Sequence, residues 1–198
     1  MANQNGAKFG FTGLFPIKTD AHAAELRTLL RSLDNTQRYP RVSPLSAVPI
    51  VHMARFAIID RLAYQRFPAK IDNLKSQYLL FLCDFDGRSI DALIQAMVRN
   101  IPTELAAIWQ NCVLFPGIGS SDQLAAYFER CQLTTNLFLA DQPEASVDDI
   151  LLALTYRRRL GEFIRDVQRR PRGPTVLQRG FKRMWRRLQK DTPLAGDL

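Results

Sequence analysis

Two polar side chains, His52 and Arg55, interrupt an otherwise apolar run from Ile50 to Asp60. The run is rich in β-branched residues, which is typical of a strand buried on both faces. Such a strand excludes polar groups that have no partner, because an unpaired buried charge is costly. His52 could act as a general base, and Arg55 could bind an anion such as a carboxylate. Side chains alternate along a strand, so this spacing predicts that the two residues point to opposite faces of the sheet.

Each candidate also has a purely structural interpretation. His52 could be a neutral core histidine that is satisfied by one hydrogen bond. Arg55 could form a salt bridge with Asp84 or Asp86 on the neighbouring strand, which would leave neither partner free for catalysis. Asp84 is a candidate catalytic carboxylate, but the motif is more simply explained as a turn, since Asp86-Gly87 is common where a turn leads into a helix.

The C-terminal stretch Val176–Lys190 predicts a basic amphipathic helix. Its apolar side chains recur at helical spacing and form one face: Leu177, Phe181, Met184, Trp185 and Leu188. The basic side chains take the remaining surface: Arg179, Lys182, Arg183, Arg186, Arg187 and Lys190. Such a helix is typical of contact with an anionic membrane surface, made here by residues 181–188. The alternatives are docking of the apolar face on the domain or on a partner subunit, and contact of the basic side chains with nucleic acid.

The formal net charge of the 198-residue chain is +8, and the basic excess lies near the C-terminus. Arg157–Lys190 holds thirteen Arg or Lys residues and only two acids. No apolar run is long enough to span a bilayer, and the N-terminus lacks the apolar core of a secretory signal. The three cysteines have no metal-type spacing and are expected to be free thiols. Together these features predict a cytoplasmic protein, held peripherally at the inner face of the membrane by its tail.

The apolar patterns predict four strands: Phe9–Lys18, Ile50–Asp60, Gln77–Phe85 and Thr134–Ala140. Helices follow the first and third strands, and a capping box at Ser146–Asp149 opens a long helix. The order is therefore βαββαβ followed by further helices. It predicts an α+β fold of the ferredoxin-like type, with a four-stranded antiparallel sheet and helices on one face. We expect this domain to occupy residues 1–170, and a hinge with the basic amphipathic helix to occupy residues 171–198.

The other face of such a sheet has no helices to cover it. The second and third predicted strands are too apolar to be left in water, so we expect this face to be covered. The candidates are a second subunit, the segment 61–75, and a bound ligand.

Three short motifs carry a resemblance to a known group of proteins. They are the Phe-Pro-Ile-Lys end of the first strand, the Val-His-Met-Ala-Arg-Phe strand and the Phe-Asp-Gly turn. Over residues 9–167 the chain resembles an uncharacterised group of bacterial proteins, and through them the dimeric α/β-barrel superfamily. That superfamily includes dye-decolourising haem peroxidases, chlorite dismutases, haem-degrading monooxygenases and cofactor-free oxygenases.

This resemblance implies a homodimer with a barrel-type cavity. Within it, His52 would be the candidate haem ligand and Arg55 the anchor of a haem propionate. Asp84 and Asp86-Gly87 resemble the Gly-x-x-Asp-Gly motif of the dye-decolourising peroxidases, with Cys83 in place of the first glycine.

Two functions are consistent with the sequence. The first is a small-molecule-binding protein, with haem or another apolar or anionic ligand, possible oxidoreductase activity, and attachment to a membrane by its tail. The second is a non-enzymatic module that binds nucleic acid or a partner protein through the basic tail, with the core as a scaffold.

Overall fold

Over the residues that the structure describes, the protein has an α+β fold with a four-stranded antiparallel sheet and six α-helices. The computed structural model describes residues 3–33, 43–61, 73–170 and 173–189. The strands are β1 (Gln4–Asn5), β2 (Lys8–Pro16), β3 (Val51–Arg61) and β4 (Asn73–Asp86). The helices are α1 (Asp20–Leu33), α2 (Ile90–Asn100), α3 (Pro102–Trp109), α4 (Ser121–Cys131), α5 (Val147–Arg169) and α6 (Pro174–Leu188), and a 3₁₀ turn covers Pro44–Ala47. The chain divides into two compact units, Met1–Glu144 and Ala145–Leu198.

In the first unit, alternation along β2 and β4 separates an aromatic face of the sheet from a mixed one. The strand order is β1-β2-β4-β3. Phe11 and Phe15 of β2 and Phe81 of β4 are buried in one core with helices α1 to α4. Several ring pairs in this core meet edge to face, a geometry that aromatic pairs favour; one is Phe81 and Trp109, whose ring centroids are 5.2 Å apart. We call the opposite side of the sheet the mixed face, because it carries both charged and aliphatic side chains.

The predicted ferredoxin-like order is not shown by the described residues. The first three predicted strands and the α+β class are confirmed, but residues 134–140, predicted as the fourth strand, are not a strand. The fourth strand is instead β1, a two-residue hairpin partner of β2. Beyond it, Gln132 and Cys112 form single bridges with Gly13 and Ile17, so short pieces of chain take the edge of β2.

The chain after α4 crosses the mixed face rather than extending the sheet. The amide of Leu133 donates to the carbonyl of Thr12 at 2.7 Å. The ring of Phe138 then lies over Gly10, so close that a Cβ atom there would be 2.8 Å from the ring. The expectation that something covers this face is therefore met in part by residues 133–139. The segment 61–75, also expected there, falls mostly outside the described residues.

The second unit contains the long helix α5 and the basic helix α6. Ser146 and Asp149 form the predicted capping box, with each side chain bonded to the other residue's backbone amide. The predicted domain boundary at residue 170 lies between two helices that both belong to this unit. Across the described ranges, no helix combines the length and the apolar content that crossing a membrane requires.

Candidate functional site

A β-bulge places His52 on the mixed face of the sheet. Val51 pairs with Phe85 and Met53 with Asp84, so an advance of two residues along β3 corresponds to one residue along β4. The extra residue is His52, and its Nε2 atom lies 2.6 Å from Oδ1 of Asp86. A bulge shifts every later side chain relative to the earlier ones.

Arg55 lines the same face as His52. It pairs with Leu82, which lies two residues from Asp84 along β4 and so shares its face. Arg55 also borders a cavity together with Asp84. The prediction that His52 and Arg55 point to opposite faces is therefore wrong, because it assumed an unbroken two-residue period.

His52 is part of a compact polar cluster with Lys8 and Asp86. Lys8 and Asp86 are directly opposite each other on β2 and β4. The Lys8 ammonium lies 2.7 Å from Nε2 of His52 and 3.4 Å from Oδ1 of Asp86. The three side chains keep only 7%, 15% and 20% of their surface exposed, in the order Lys8, His52, Asp86. Protonated at Nε2, the imidazole donates to Asp86; deprotonated there, it accepts from Lys8.

Asp84 lies beside this cluster and borders a cavity. Loss of hydration raises the pKa of Asp84 above its usual 3.8, while the charges of His52 and Lys8 lower it by a smaller amount. Among the described residues it has no hydrogen-bond or ion-pair partner. A carboxyl group with a raised pKa that borders a cavity is a typical functional-site candidate.

The cavity on the mixed face has a volume of about 330 Å³. Its walls come from the sheet and from the crossing segment: Gly10, Phe11, Thr12, Met53, Arg55, Leu82, Cys83, Asp84, Thr135, Leu137, Phe138 and Leu139. Arg55 is exposed and forms no ion pair with any described residue. The predicted salt bridge from Arg55 to Asp84 or Asp86 is therefore wrong, since Asp86 is engaged by Lys8 and His52.

His52, Arg55 and Asp84 are candidates from the sequence alone. Two features of the site are not: Lys8 and the crossing segment. Lys8 was not singled out, although alternation with Phe9 and Phe11 assigns it to the mixed face. The crossing segment was taken for a strand, because its apolar residues Leu137, Phe138 and Leu139 resemble one. They face the cavity as an apolar wall instead.

Comparisons with protein-family models, with curated proteins and with solved structures give no match. The resemblance to the dimeric α/β-barrel superfamily thus stays a prediction.

The contacts of His52 do not fit haem ligation through its Nε2 atom. An axial histidine needs a ring nitrogen free to face the iron, but Nε2 of His52 is within 2.7 Å of both Lys8 and Asp86. Within the described part of the chain, no three His, Cys, Asp or Glu side chains are grouped so as to hold a metal ion.

The three cysteines are free thiols and poor nucleophiles. Burial raises the pKa of Cys83 well above its usual value, and it raises the pKa of Cys112 to about 12. Cys131 shifts in the same direction for the same reason. Since the thiolate is the reactive form, these groups stay protonated and unreactive at neutral pH.

The apolar side chains of α6 pack in part against α5. Phe181 meets Phe163 with ring centroids 6.0 Å apart, and Trp185 meets Tyr156 at 5.8 Å. The two helices are therefore antiparallel neighbours. The remaining predicted contact residues divide by type: Leu188 is buried, Met184 is half-buried, and Lys182, Arg183, Arg186 and Arg187 are exposed.

Proposed function

We propose that this protein binds a small molecule with an apolar body and an anionic group, in the cavity on the mixed face. The observation that supports this most is that Arg55 and Asp84 border one cavity and do not pair with each other. They are diagonal neighbours on adjacent strands, a spacing that a long side chain can bridge. Neither side chain has a partner among the described residues, which favours a ligand that binds both.

The cavity's walls define the chemistry of that partner. Arg55 offers paired N–H donors to a carboxylate or phosphate. Asp84, with its raised pKa, is suited to accept a hydrogen bond from the ligand or to exchange a proton with it. Leu82, Leu137 and Phe138 contact the apolar body. The volume of about 330 Å³ is at the small end of ligand pockets, which span roughly 300–1,000 Å³.

In this proposal the Lys8–His52–Asp86 cluster has an indirect role. It does not line the cavity; it sets the electrostatic field at Asp84 and fixes the end of β4. His52 is then a positioning residue and not the general base. Oxidoreductase activity and a homodimer, both implied by the resemblance, stay predictions.

Met53 provides a site-specific readout, because its side chain lines the cavity and is 57% exposed, while Met97 is fully buried. Methyl NMR of ¹³C-methionine protein, titrated with a panel of small aromatic and aliphatic carboxylates, should show shifts at Met53 and not at Met97. Arg55→Gln should abolish them, and Arg61→Gln, an exposed arginine on the same strand, should not. Equal shifts in both variants would refute the role of Arg55, and an unresponsive Met53 across the panel would refute the site.

The rival function, a module that acts only through its basic tail, makes the opposite prediction for this cavity. In that case no small molecule copurifies with the protein. Native mass spectrometry of the protein purified without denaturation distinguishes the two, because an added mass that is lost in Arg55→Gln supports the proposed site.

A further inference from the structure

Helices α5 and α6 form an antiparallel hairpin whose aromatic seam is incompletely covered. Phe181 and Trp185 contact α5, and they stack on each other with an interplanar angle of 15°. Yet 42% of Phe181 and 44% of Trp185 stay exposed. Packing against α5 thus accounts for one side of these rings and leaves the other side without an apolar partner in the described residues.

The exposed apolar surface continues onto α5. Leu160 is one helical turn from Tyr156, which contacts Trp185, and Ile164 is one turn further along the same row. Leu160 and Ile164 are 41% and 46% exposed. Together with Phe181 and Trp185 they form what we call the hairpin patch, an apolar surface built from both helices.

Basic side chains surround the hairpin patch on the α6 side. Helix α6 contains five of them and no acid: Arg179, Lys182, Arg183, Arg186 and Arg187. All five are exposed, and none forms a salt bridge with a described residue. Lys182 and Arg186 directly follow Phe181 and Trp185, so a row of cations runs beside the row of aromatic rings.

We propose that the α5–α6 hairpin docks on a bilayer that contains anionic phospholipids. Aromatic and aliphatic side chains of the hairpin patch enter the headgroup boundary, and the flanking cations contact lipid phosphates. The docking element is the paired hairpin rather than a free tail helix, since α5 both supports the aromatic rings and contributes Leu160 and Ile164.

Two other occupants fit this surface less well. Nucleic acid would satisfy the cations, but Leu160 and Ile164 would gain nothing from a phosphate backbone. A second copy of the hairpin would bring two sets of five cations together, and like charges across an interface oppose association. Of these three occupants, the anionic bilayer is the one that satisfies the apolar and the basic parts together.

Vesicle flotation of the full chain tests this proposal. The protein should float with phosphatidylcholine vesicles that contain phosphatidylglycerol, and should not float with pure phosphatidylcholine. The double variant Phe181→Ser/Trp185→Ser should bind at least about tenfold more weakly. The matched control, Val113→Ser/Leu133→Ser, removes two apolar side chains of the first unit that are 37% and 45% exposed, and should bind like the native chain.

The charge contribution is tested in the same assay. Arg183→Gln/Arg187→Gln should weaken binding about 25-fold, because each basic residue near an anionic surface contributes about 1 kcal/mol. Arg88→Gln/Arg99→Gln, which neutralises two exposed arginines of the first unit, should have no effect. Circular dichroism of each variant checks that helix content is retained.

Trp185 reports on the location of the contact. The chain has two tryptophans, and Trp109→Phe leaves Trp185 as the only one. Its emission should shift to shorter wavelength with anionic vesicles and be quenched by brominated lipid chains. The proposal is overturned if Trp185 emission is unchanged in vesicle-bound protein, if the hairpin and control variants float equally, or if the chain binds an RNA oligonucleotide but no vesicle. A dimer that is lost in the hairpin variant, with no vesicle binding, would overturn it in favour of a second copy.

Discussion

His52 Nε2 lies 2.6 Å from Oδ1 of Asp86 because β3 carries one extra residue at this point. In a regular ladder, the side chain before Met53 would point into the aromatic core. The bulge turns it to the face where Lys8 and Asp86 meet across β2 and β4. A histidine at an apolar-looking position is thus satisfied by an ionic cluster and not by the core.

Removing the acid from this cluster should destabilise the fold. Asp86→Asn leaves the ammonium of Lys8, which is 7% exposed, without its carboxylate. We expect a loss of about 2–3 kcal/mol in the free energy of unfolding, at the low end for buried pairs because Asp86 itself is partly exposed. Urea denaturation measures this loss. Asp141→Asn, which neutralises an exposed acid, should change the stability by less than about 0.5 kcal/mol, and an equal loss in both variants would contradict the role of the cluster.

Asp84 should weaken the fold at neutral pH, in contrast to Asp86. Its pKa is raised in the folded protein, mainly by loss of hydration, so the charged form is less favourable there than in the unfolded chain. Below the ordinary pKa of 3.8, the neutral carboxyl group contributes stability to the fold. This contribution is lost as the pH rises through the higher pKa that Asp84 has in the folded protein. Asp84→Asn should therefore be more stable than the native chain at neutral pH, and this advantage should disappear in acid.

The measurement is the free energy of unfolding of both proteins across the acid-to-neutral range. A variant that is less stable than the native chain at neutral pH would show that Asp84 is held by favourable contacts instead. Such a stabilising change at the cost of ligand binding is the pattern expected of a functional residue.

The sequence was sufficient for elements that depend on local pattern. The strands around Phe11, Arg55 and Phe81 and the capping box at Ser146 follow from alternation and from backbone capping, which act within a few residues. The bulge at His52 could not be predicted, because it depends on which residue of β4 pairs with which residue of β3. If the bulge is left out, alternation assigns His52 and Arg55 to opposite faces of the sheet, and the residues of the site no longer lie together.

The prediction of a strand at residues 134–140 was wrong for a related reason. Leu137, Phe138 and Leu139 have the composition of a strand, but the backbone of β2 is already paired at its edge by β1 and Gln132. The segment can then only cross the sheet, where Gly10 leaves room for the ring of Phe138. Composition gave the apolar character correctly, and tertiary competition for the edge decided the structure.

Gly10 should therefore be required for the crossing segment to close the cavity. A methyl group on Gly10 would lie 2.8 Å from the Phe138 ring, so Gly10→Ala has to displace that ring from the sheet. We expect a loss of about 1–3 kcal/mol in the free energy of unfolding, typical of overpacking. Gly119→Ala is the control, since an added Cβ there meets nothing within 4 Å. Combining Gly10→Ala with Phe138→Ala should cost less than the two separate losses added together, and strict additivity would contradict the contact.

Titration with hemin should give no spectrum that depends on His52. Its Nε2 atom is held between Lys8 and Asp86, so coordination of iron through Nε2 would have to break both contacts. The Soret region of the native chain and of His52→Gln should therefore be identical at stoichiometric hemin. A band present in the native chain and lost in His52→Gln would show that the cluster opens and that haem ligation by His52 is correct.

Gly161 and Gly180, each within a helix of the second unit, should respond differently to alanine. In the middle of a helix, alanine is more favourable than glycine by about 1 kcal/mol. At Gly161 of α5 an added Cβ meets nothing within 4 Å, so Gly161→Ala should realise this gain. At Gly180 of α6 the Cβ would lie 3.3 Å from the ring of Phe163, closer than most real contacts, so Gly180→Ala should gain less or nothing.

Thermal unfolding followed by helical circular dichroism compares the two variants. If Gly180→Ala stabilises as much as Gly161→Ala, the close approach of the helices at Phe163 is incorrect. Adding Phe163→Leu should restore the missing part of the gain at Gly180, because the smaller side chain can move away from the new methyl group. The same substitution should leave the effect of Gly161→Ala unchanged, since no atom of Phe163 lies within reach of that position.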